Sequence, residues 1–205
     1  MELYFSPLAC SFATRTALYE ASAEISFTEV DPKTKRTSSG QNFYDINPLG
    51  QVPALRTDEG DVLTENAAIL QYVADRYPAA GLAPRDGLPR LRLQQWLCFI
   101  GTELHKPLFV PLLDDNAPQG AKDYARAKGK ARLDLLDRYL RDREFLLDDF
   151  SVADAYLCAV LNWAFATSVK LTDWPAVAAY HARLHTRPSI ARAFGEELAL
   201  WKRDH

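Results

Sequence analysis

A cysteine at the start of a predicted helix is the first feature of this sequence that could do chemistry. Leu3 to Phe5 form an apolar, aromatic run typical of a buried strand, Ser6-Pro7 interrupts it, and a helical pattern begins just after Cys10. The free N–H groups and the dipole at a helix start stabilise an anion and favour a thiolate. Cys10 is therefore a candidate reactive thiol; alternatively, it is a small apolar residue near a helix start.

Two further segments could bind a small charged ligand. Glu65 and Asn66 open a second helix, where a carboxylate could pair with an ammonium group and a backbone N–H with a carboxylate. Alternatively, Glu65 only complements the helix dipole. Val52-Pro53 places a proline at the mouth of a strand. If that peptide bond is cis, the tight turn exposes the Val52 backbone to a ligand, whereas an ordinary edge proline has no such role.

Histidines supply the remaining candidates. A small, polar stripe on a later helix, as expected of a face that lines a cleft, contains Cys98, Gly101, Thr102 and His105, with Lys106 beside it. His105 is either a catalytic imidazole or a surface histidine. His181 and His185 lie four apart on another helix and could bind a metal as a pair. Since no third ligand is near in sequence, we expect no metal.

The elements that position these residues divide into two halves. Up to residue 80 the pattern is strand, helix, strand, short helix, strand, strand, helix, which predicts a parallel pair followed by an antiparallel hairpin. Beyond a Pro- and Gly-rich linker, apolar residues recur at steps of three and four. The sequence predicts an α/β domain over 1–80, a linker over 81–88 and an all-α helical bundle over 89–205.

Local signals mark helix ends in the second half. Pro107 and Pro111 are expected to bend or end the helix that carries His105. Ser151 and Asp154 have the spacing of a capping box, with Asp in place of the usual Glu, so a very apolar helix should begin there. The last helix is expected to begin at Pro188.

Composition excludes several classes of function. The net charge is −3 and basic residues do not interleave with aromatic ones, so we expect no nucleic-acid partner. No apolar run approaches the length of a membrane span, and no signal peptide is visible. The three widely spaced cysteines predict neither a disulfide framework nor a zinc site and suit a reducing compartment. We therefore expect a cytoplasmic protein without membrane association.

Several segments together resemble the cytosolic glutathione S-transferases, and within them the bacterial beta class. Residues 47–55, Asn-Pro-Leu-Gly-Gln-Val-Pro-Ala-Leu, resemble the family's cis-proline turn, and residues 63–69 resemble its loop for the glutamyl part of glutathione. Residues 102–106 and 150–157 resemble helical segments of its second domain. The resemblance implies a thioredoxin-like first domain, an all-α helical second domain and a homodimer.

The resemblance also implies roles for individual residues. Cys10 would contact the glutathione sulfur and could form a mixed disulfide with it, and His105 would close the site from the second domain. Val52 would pair its backbone with the cysteinyl unit, Lys35 would meet the glycyl carboxylate, and Glu65 would meet the glutamyl ammonium. The implied catalytic residues are Cys10 and His105, and the implied glutathione-binding residues are Cys10, Ser11, Lys35, Gln51, Val52, Pro53, Glu65, Asn66, Cys98, Thr102, Glu103, His105 and Lys106.

Two positions depart from the pattern of the family. Asn66 stands where the family often has Ser or Gly, although its backbone N–H can still bind the glutamyl carboxylate. Cys98 stands where beta-class members commonly carry Asn, and a thiol is a poorer hydrogen-bond donor than an amide. This exchange weakens the expectation of strong transferase activity and places a second thiol on the cleft-lining stripe, where it could pair with Cys10.

The expected function is glutathione transfer in detoxification. Glutathione is the expected co-substrate, and its activated thiolate would attack electrophilic, mostly apolar small molecules. A first alternative is a thiol transferase or reductase that uses Cys10 through a mixed disulfide. A second is a non-catalytic binding protein that keeps the fold, although the set of Cys10, Lys35, Glu65 and His105 argues against it.

Overall fold

The structure is a computed structural model that describes residues 1–204. The chain divides into two units, one formed by Met1–Ala83 together with the segment from Pro188 onward, and the other by Pro84–Arg187. The division after Ala83 falls inside the predicted linker 81–88. The second domain was predicted to span 89–205, whereas the structure groups the segment from Pro188 onward with the first unit.

The first unit is organised around a four-stranded mixed sheet in the order β2-β1-β3-β4. Its strands are β1 (Glu2–Phe5), β2 (Ser26–Glu29), β3 (Ala54–Arg56) and β4 (Val62–Leu63). β1 pairs in parallel with β2, and β3 and β4 form an antiparallel hairpin. Leu3, Tyr4 and Phe5 are all buried, as expected of a central strand covered on both faces. The predicted mixed α/β unit is confirmed.

Helices complete the first unit. The parallel strands are joined by α1 (Ser11–Glu20), and the hairpin is followed by α2 (Asn66–Arg76). Short 3₁₀ turns lie at Phe43–Asp45 and Pro78–Ala80. The side chains of Leu3, Phe12, Leu18, Leu55, Ile69 and Leu70 are fully buried and form much of its core. This thioredoxin-like arrangement places the starts of α1 and α2 directly after strands.

The last helix, α8 (Pro188–Asp204), packs against α1 and so belongs to the first unit. Phe194 meets Phe12 edge to face, with ring centroids 6.5 Å apart. Arg15 on α1 forms ion pairs with Glu196 at 3.0 Å and Glu197 at 2.9 Å. The sequence grouped this helix with the second-half bundle, whereas its apolar and charged partners named above lie on α1.

The second unit is all-α, as predicted. Its helices are α3 (Gly87–Phe99), which continues as a π-helical segment (Ile100–Phe109) into α4 (Val110–Leu113), then α5 (Gln119–Leu140), α6 (Val152–Asn162) and α7 (Pro175–His185). Two 3₁₀ turns lie at Trp163–Ala166 and Leu171–Asp173. The helix does not end at Pro107, since the wider π-helical winding carries the chain through the proline. None of the helices within residues 1–204 is long and apolar enough to span a membrane.

The capping box at the start of α6 is confirmed. The Ser151 hydroxyl accepts from the Ala153 N–H, and the Asp154 carboxylate accepts from the Ser151 N–H. Asp154 is fully buried and also accepts from the Leu146 N–H at 2.8 Å and the Tyr180 hydroxyl at 2.7 Å. One carboxylate therefore ties the start of α6 to the preceding loop and to α7.

Candidate functional site

Cys10 is the N-cap residue of α1, where β1 has ended and the helix begins, as the sequence predicts. Its side chain is partly exposed, and its thiol donates to the carbonyl oxygen of Val52 across 3.2 Å. The N–H groups of Phe12 and Ala13 donate to the carbonyl oxygens of Ala9 and Cys10 at 3.0 and 3.1 Å, which ties the turn to the first residues of α1. The turn can therefore hold a sulfur anion beside the positive end of the helix dipole.

Hydrogen bonds within the turn fix its shape. The Ser6 N–H donates to Ser11 Oγ at 3.3 Å, and the Ser11 hydroxyl donates to the Ser6 carbonyl at 3.2 Å. Ser11 is fully buried. Its hydroxyl is thus engaged inside the protein.

Glu197 on α8 also holds this turn, although it was not among the residues predicted from the sequence. Its Oε2 accepts from the N–H of Leu8 at 2.7 Å, and Leu8 has a left-handed φ of 60° that residues other than glycine rarely adopt. A usable signal exists in the sequence, because Glu197 follows Ile190 by seven residues and Ala193 by four. It is therefore an acidic residue on the buried stripe of an amphipathic helix.

Arg15 partners Glu197 in the interior. The guanidinium lies between two aromatic rings, 4.1 Å from the centroid of Phe5 and 4.2 Å from that of Phe27. Arg15 Nε and Glu197 Oε1 lie 2.9 Å apart as an ion pair but are not aligned as a hydrogen bond. Burial raises the pKa of Glu197 to about 7, against the opposing effects of Arg15 and the Leu8 N–H.

The Val52-Pro53 peptide bond is cis, as the resemblance implied. Pro53 is buried, Val52 is half-buried, and Gln51 is exposed. Asn47 shapes the turn before them, donating from Nδ2 to the Gln51 carbonyl at 2.7 Å. Cys10 and the Val52 backbone, predicted from separate segments, are thus brought together.

Asn66 has a role that the sequence did not reveal. It is buried at the start of α2, where its Oδ1 accepts from the Thr14 hydroxyl at 2.9 Å. Its Nδ2 donates to the carbonyl oxygen of Cys10 at 3.2 Å. The side chain therefore joins α2 to α1 at the reactive turn, and no local pattern signals a bond that spans 56 residues.

Two charged residues of the first unit present their side chains near the surface. Glu65 is exposed at the N-cap of α2, with φ of 65°, and its carboxylate does not cap the helix. Lys35 is half-buried with φ of 55° in a loop whose backbone is held by Asp31, which accepts from the N–H groups of Lys33 and Thr34. The Glu65 carboxylate is negative and the Lys35 ammonium is positive. Each charge is thus opposite to that of the group that the resemblance assigns to it, the glutamyl ammonium for Glu65 and the glycyl carboxylate for Lys35.

The predicted residues of the second unit lie on or beside its π-helical segment. His105 is buried, with Nδ1 2.7 Å from the Tyr156 hydroxyl and its ring 4.8 Å from that of Trp163, measured between centroids. Burial, with a smaller effect of Lys106, lowers the pKa of His105 from 6.5 to about 4. The imidazole is therefore neutral at pH 7.

The neighbours of His105 differ in their exposure and in their contacts with other protein groups. Cys98, Thr102 and Lys106 are exposed, and the Thr102 hydroxyl donates to the Cys98 carbonyl at 2.9 Å. The Glu103 carboxylate forms an ion pair with Arg132, with Nε and Nη2 each 2.7 Å from Oε2. Among these residues, Glu103 is thus held by a protein partner, and Cys98 presents a thiol to solvent.

Two models of one protein family match this chain. The model of the glutathione S-transferase N-terminal domain matches residues 2–75, and that of the glutathione S-transferase C-terminal domain matches residues 94–188. The chain is 38% identical over 199 residues to the glutathione S-transferase GstA of Escherichia coli O157:H7, covering 96% of this chain and 98% of the relative.

Solved structures agree with the family match. The beta-class glutathione S-transferase of Sphingomonas chungbukensis is 43% identical, with a TM-score of 0.92 over 96% of this chain and 98% of the other. A sphingomonad glutathione S-transferase complexed with glutathione is 41% identical, with the same TM-score and the same coverage of both chains.

Proposed function

Because this chain belongs to the glutathione S-transferase family, we propose that the Cys10 turn holds the glutathione sulfur as a thiolate for attack on electrophilic, mostly apolar small molecules. Glutathione is the co-substrate of the enzyme. The observation that carries the proposal is the partly exposed Cys10 thiol at the start of α1, hydrogen-bonded to the Val52 carbonyl beside cis Pro53.

The geometry of the first unit supports a binding mode for glutathione. In this mode the Val52 backbone pairs with the cysteinyl unit, between Gln51 and Pro53, and the Asn66 N–H takes the glutamyl carboxylate. The exposed Glu65 carboxylate, which does not cap α2, is available for the glutamyl ammonium. Lys35 takes the glycyl carboxylate. These assignments match each ligand charge with a protein group of opposite sign or with a helix N-terminus.

The second unit contributes the remaining proposed residues. Cys98, Thr102 and Lys106 offer exposed polar groups. Glu103 acts through its ion pair with Arg132 rather than as a free carboxylate. His105 acts as a neutral imidazole, which can accept or donate a hydrogen bond but brings no positive charge at pH 7.

The proposed reaction forms one carbon–sulfur bond. Glutathione loses its thiol proton to solvent or to a neutral base, and the thiolate attacks an electrophilic carbon, from which a leaving group departs with its bonding electrons. Each unit by which a thiol pKa is lowered corresponds to about 1.4 kcal/mol. A helix N-terminus and the hydrogen bond of a backbone N–H, such as that of Ser11, supply a stabilisation of this order.

A thiol transferase or reductase activity is the second candidate, favoured by the partly exposed Cys10 thiol, which is not in a disulfide. In that reaction the Cys10 thiolate attacks a glutathione-containing disulfide, forming a mixed disulfide with glutathione and releasing the other thiol. A glutathione thiolate then attacks the mixed disulfide, which releases glutathione disulfide and regenerates the Cys10 thiolate. The only reactants are the disulfide substrate and glutathione.

Cys10→Ala tests both activities in one comparison. We expect this variant to keep conjugation to a standard aromatic electrophile and to lose thiol–disulfide exchange, together with the reductant-sensitive glutathione adduct seen by mass spectrometry. Cys98→Ser serves as the matched thiol control and should keep the adduct. Full retention of both activities by Cys10→Ala would remove Cys10 from the mechanism.

We propose the same family-based organisation for the rest of the protein. Residues 1–80 form the glutathione-binding domain, the linker spans 81–88, and residues 89–205 follow as the second domain, with the last helix packed on the first unit. The enzyme is proposed to be a cytoplasmic homodimer. Three free cysteines suit a reducing compartment, and the exposed Leu88 and Leu91 at the start of α3 suit a subunit interface.

A further inference from the structure

A cluster of metal-binding side chains lies where α6 meets α7, outside the residues assigned to glutathione. α6 contributes Cys158 and Asn162, and α7 contributes His181 and His185. Each pair is four residues apart, so its members share one helix face. We propose that this cluster is a zinc site, with Cys158 Sγ and the Nε2 atoms of His181 and His185 as the protein ligands and water in the fourth position.

The distances between the polar atoms fit one metal ion. The two Nε2 atoms lie 3.2 Å apart, close to the about 3.3 Å that two nitrogen ligands span on a tetrahedral zinc ion. Cys158 Sγ and one ring nitrogen of each histidine all lie within 4.8 Å of one another. A sulfur and a nitrogen ligand on one zinc ion lie about 3.5 Å apart, so an ion would draw the three atoms closer together. Asn162 Oδ1 lies 2.7 Å from His181 Nε2 and 2.8 Å from His185 Nε2, which are hydrogen-bond distances shorter than the spacing of two ligands on a tetrahedral ion, so Asn162 is a hydrogen-bond partner of the histidines and not a ligand.

The same contacts can be satisfied by hydrogen bonds. When both imidazoles carry their proton on Nε2, Asn162 Oδ1 accepts from both through its two lone pairs. Zinc binding requires both Nε2 atoms without a proton, so the ion would replace these two hydrogen bonds.

Burial and chemistry favour zinc over harder cations. Cys158 and Asn162 are buried, whereas both histidines are partly exposed and leave a path for entry of the ion. One sulfur and two imidazole nitrogens form a donor set typical of zinc and unsuited to magnesium or calcium.

The proposed site lies beside the capping box of α6. Asp154, four residues before Cys158, accepts from the Tyr180 hydroxyl of α7 at 2.7 Å. Zinc would add a second link between the same two helices, one turn further along α6. Because the ion binds the folded chain and not a preformed site in the unfolded one, it would stabilise the fold by mass action.

Cobalt substitution tests the ligand set directly. Chelator-treated protein carrying Cys10→Ser and Cys98→Ser keeps Cys158 as its only thiol. Titration of this protein with Co²⁺ should give intense tetrahedral visible bands and a thiolate-to-cobalt charge-transfer band, saturating at about one ion per chain. Zn²⁺ should displace the cobalt and abolish both bands.

Variants of each helix identify the ligands. Cys158→Ser should remove the charge-transfer band, and His181→Gln or His185→Gln, both on the partly exposed helix, should weaken Co²⁺ binding at least tenfold while the protein stays folded by circular dichroism. Since Cys158 is buried and its serine variant could unfold, the histidine variants decide the outcome in that case. Unchanged Co²⁺ affinity in both histidine variants, or no cobalt bands in the protein whose only thiol is Cys158, would overturn the proposal.

Zinc binding also releases a proton, because the Cys158 thiol must become a thiolate. Calorimetry in two buffers of different ionisation enthalpy should detect about one proton released per zinc bound. The thermal unfolding midpoint should rise with Zn²⁺ and not with Mg²⁺. A midpoint that Zn²⁺ does not raise would contradict the proposal. None of these measurements depends on glutathione chemistry, so they stand apart from the test of Cys10.

Discussion

Cys10 is held on two sides, through its sulfur and through its carbonyl oxygen. The thiol donates to the Val52 carbonyl, and the carbonyl oxygen accepts from the Asn66 amide. A thiol held by bonds to two separate segments keeps its direction, which would contribute to the rate of the thiol–disulfide exchange in which Cys10 is the nucleophile, because reacting atoms must meet in a narrow geometry. Asn66 is in this sense a positioning residue.

Asn66→Ala is expected to loosen the reactive turn. The change leaves the Thr14 hydroxyl and the Cys10 carbonyl without this partner, at a cost of about 1–3 kcal/mol in the free energy of unfolding. We also expect the KM for glutathione to rise several-fold. Thr14→Val removes only the hydrogen bond between Thr14 and Asn66. It should destabilise the protein without an equal rise in the KM for glutathione. Equal effects on KM in both variants would assign the role to α1–α2 packing.

His105 should not titrate in the range where the enzyme works. Burial lowers its pKa from 6.5 to about 4, so the folded chain binds fewer protons at this site than the unfolded chain between those values. Its contribution to stability is therefore present above pH 6.5 and lost as the pH falls toward 4. An NMR titration, with the His105 signal assigned by its absence in His105→Gln, should give a pKa well below 6.5. A midpoint near 6.5 would contradict this.

The link between α8 and the Cys10 turn joins elements from opposite ends of the chain. The buried Glu197 carboxylate accepts from the Leu8 N–H and faces Arg15 on α1. Since Leu8 has a φ that is costly for a residue other than glycine, the bond to α8 helps to hold the turn in that conformation. The last helix therefore acts on the reactive turn without contributing a catalytic group.

Glu197→Gln should change how stability depends on pH. Its pKa is raised from 4.5 to about 7, so the folded chain binds more protons at Glu197 than the unfolded chain between these values. Because of this carboxyl, the free energy of unfolding falls as the pH rises from 4.5 to 7, by at most about 1.4 kcal/mol per pH unit. Denaturant unfolding at several pH values should show this fall in the wild type, relative to the variant.

Glu196→Gln is the matched control for that experiment. Burial raises the pKa of Glu196, but hydrogen bonds from Tyr19 and Arg192 outweigh it, so the pKa is lowered overall. The contribution of this carboxyl to the stability of the fold is therefore lost as the pH falls. The two neighbouring substitutions should therefore shift the pH profile in opposite directions. Profiles of the same shape would show that Glu197 does not carry a raised pKa.

The assembled enzyme is proposed to be a homodimer, and an exposed apolar pair suggests one contributing surface. Leu88 and Leu91 lie three residues apart near the start of α3, with 63% and 59% of their surfaces exposed. Two large apolar side chains on one helix face are typical of a contact between subunits. Tyr124 on α5 is also exposed, and the Lys128 ammonium lies 5.6 Å from the centroid of its ring.

Leu88→Glu with Leu91→Glu should therefore shift the protein toward the monomer. Sedimentation equilibrium should give about twice the chain mass of 23.1 kDa for the wild type and a lower mass for this variant, because burying two carboxylates at an interface is costly. Tyr124→Glu should leave the mass unchanged. A wild-type mass of one chain at micromolar concentration would reject the dimer.

The sequence by itself determined the features that depend on near neighbours along the chain. The strand, turn and helix around Cys10, the mixed order of strands and helices, and the Ser151–Asp154 capping box all follow from local periodicity and caps. Residues 47–55 and 63–69 indicated the family in the same way. These signals survive folding because hydrogen bonds to residues a few positions away define them.

Only the tertiary structure decided which distant side chains meet. The bond from Asn66 to Cys10, the bond from Glu197 to Leu8, and the cluster of Cys158 with two histidines join segments far apart in sequence. The position of α8 against α1 depends on the same kind of contact. Such contacts follow from how elements pack and where each side chain then points, and neither residue type nor spacing along one element contains that information.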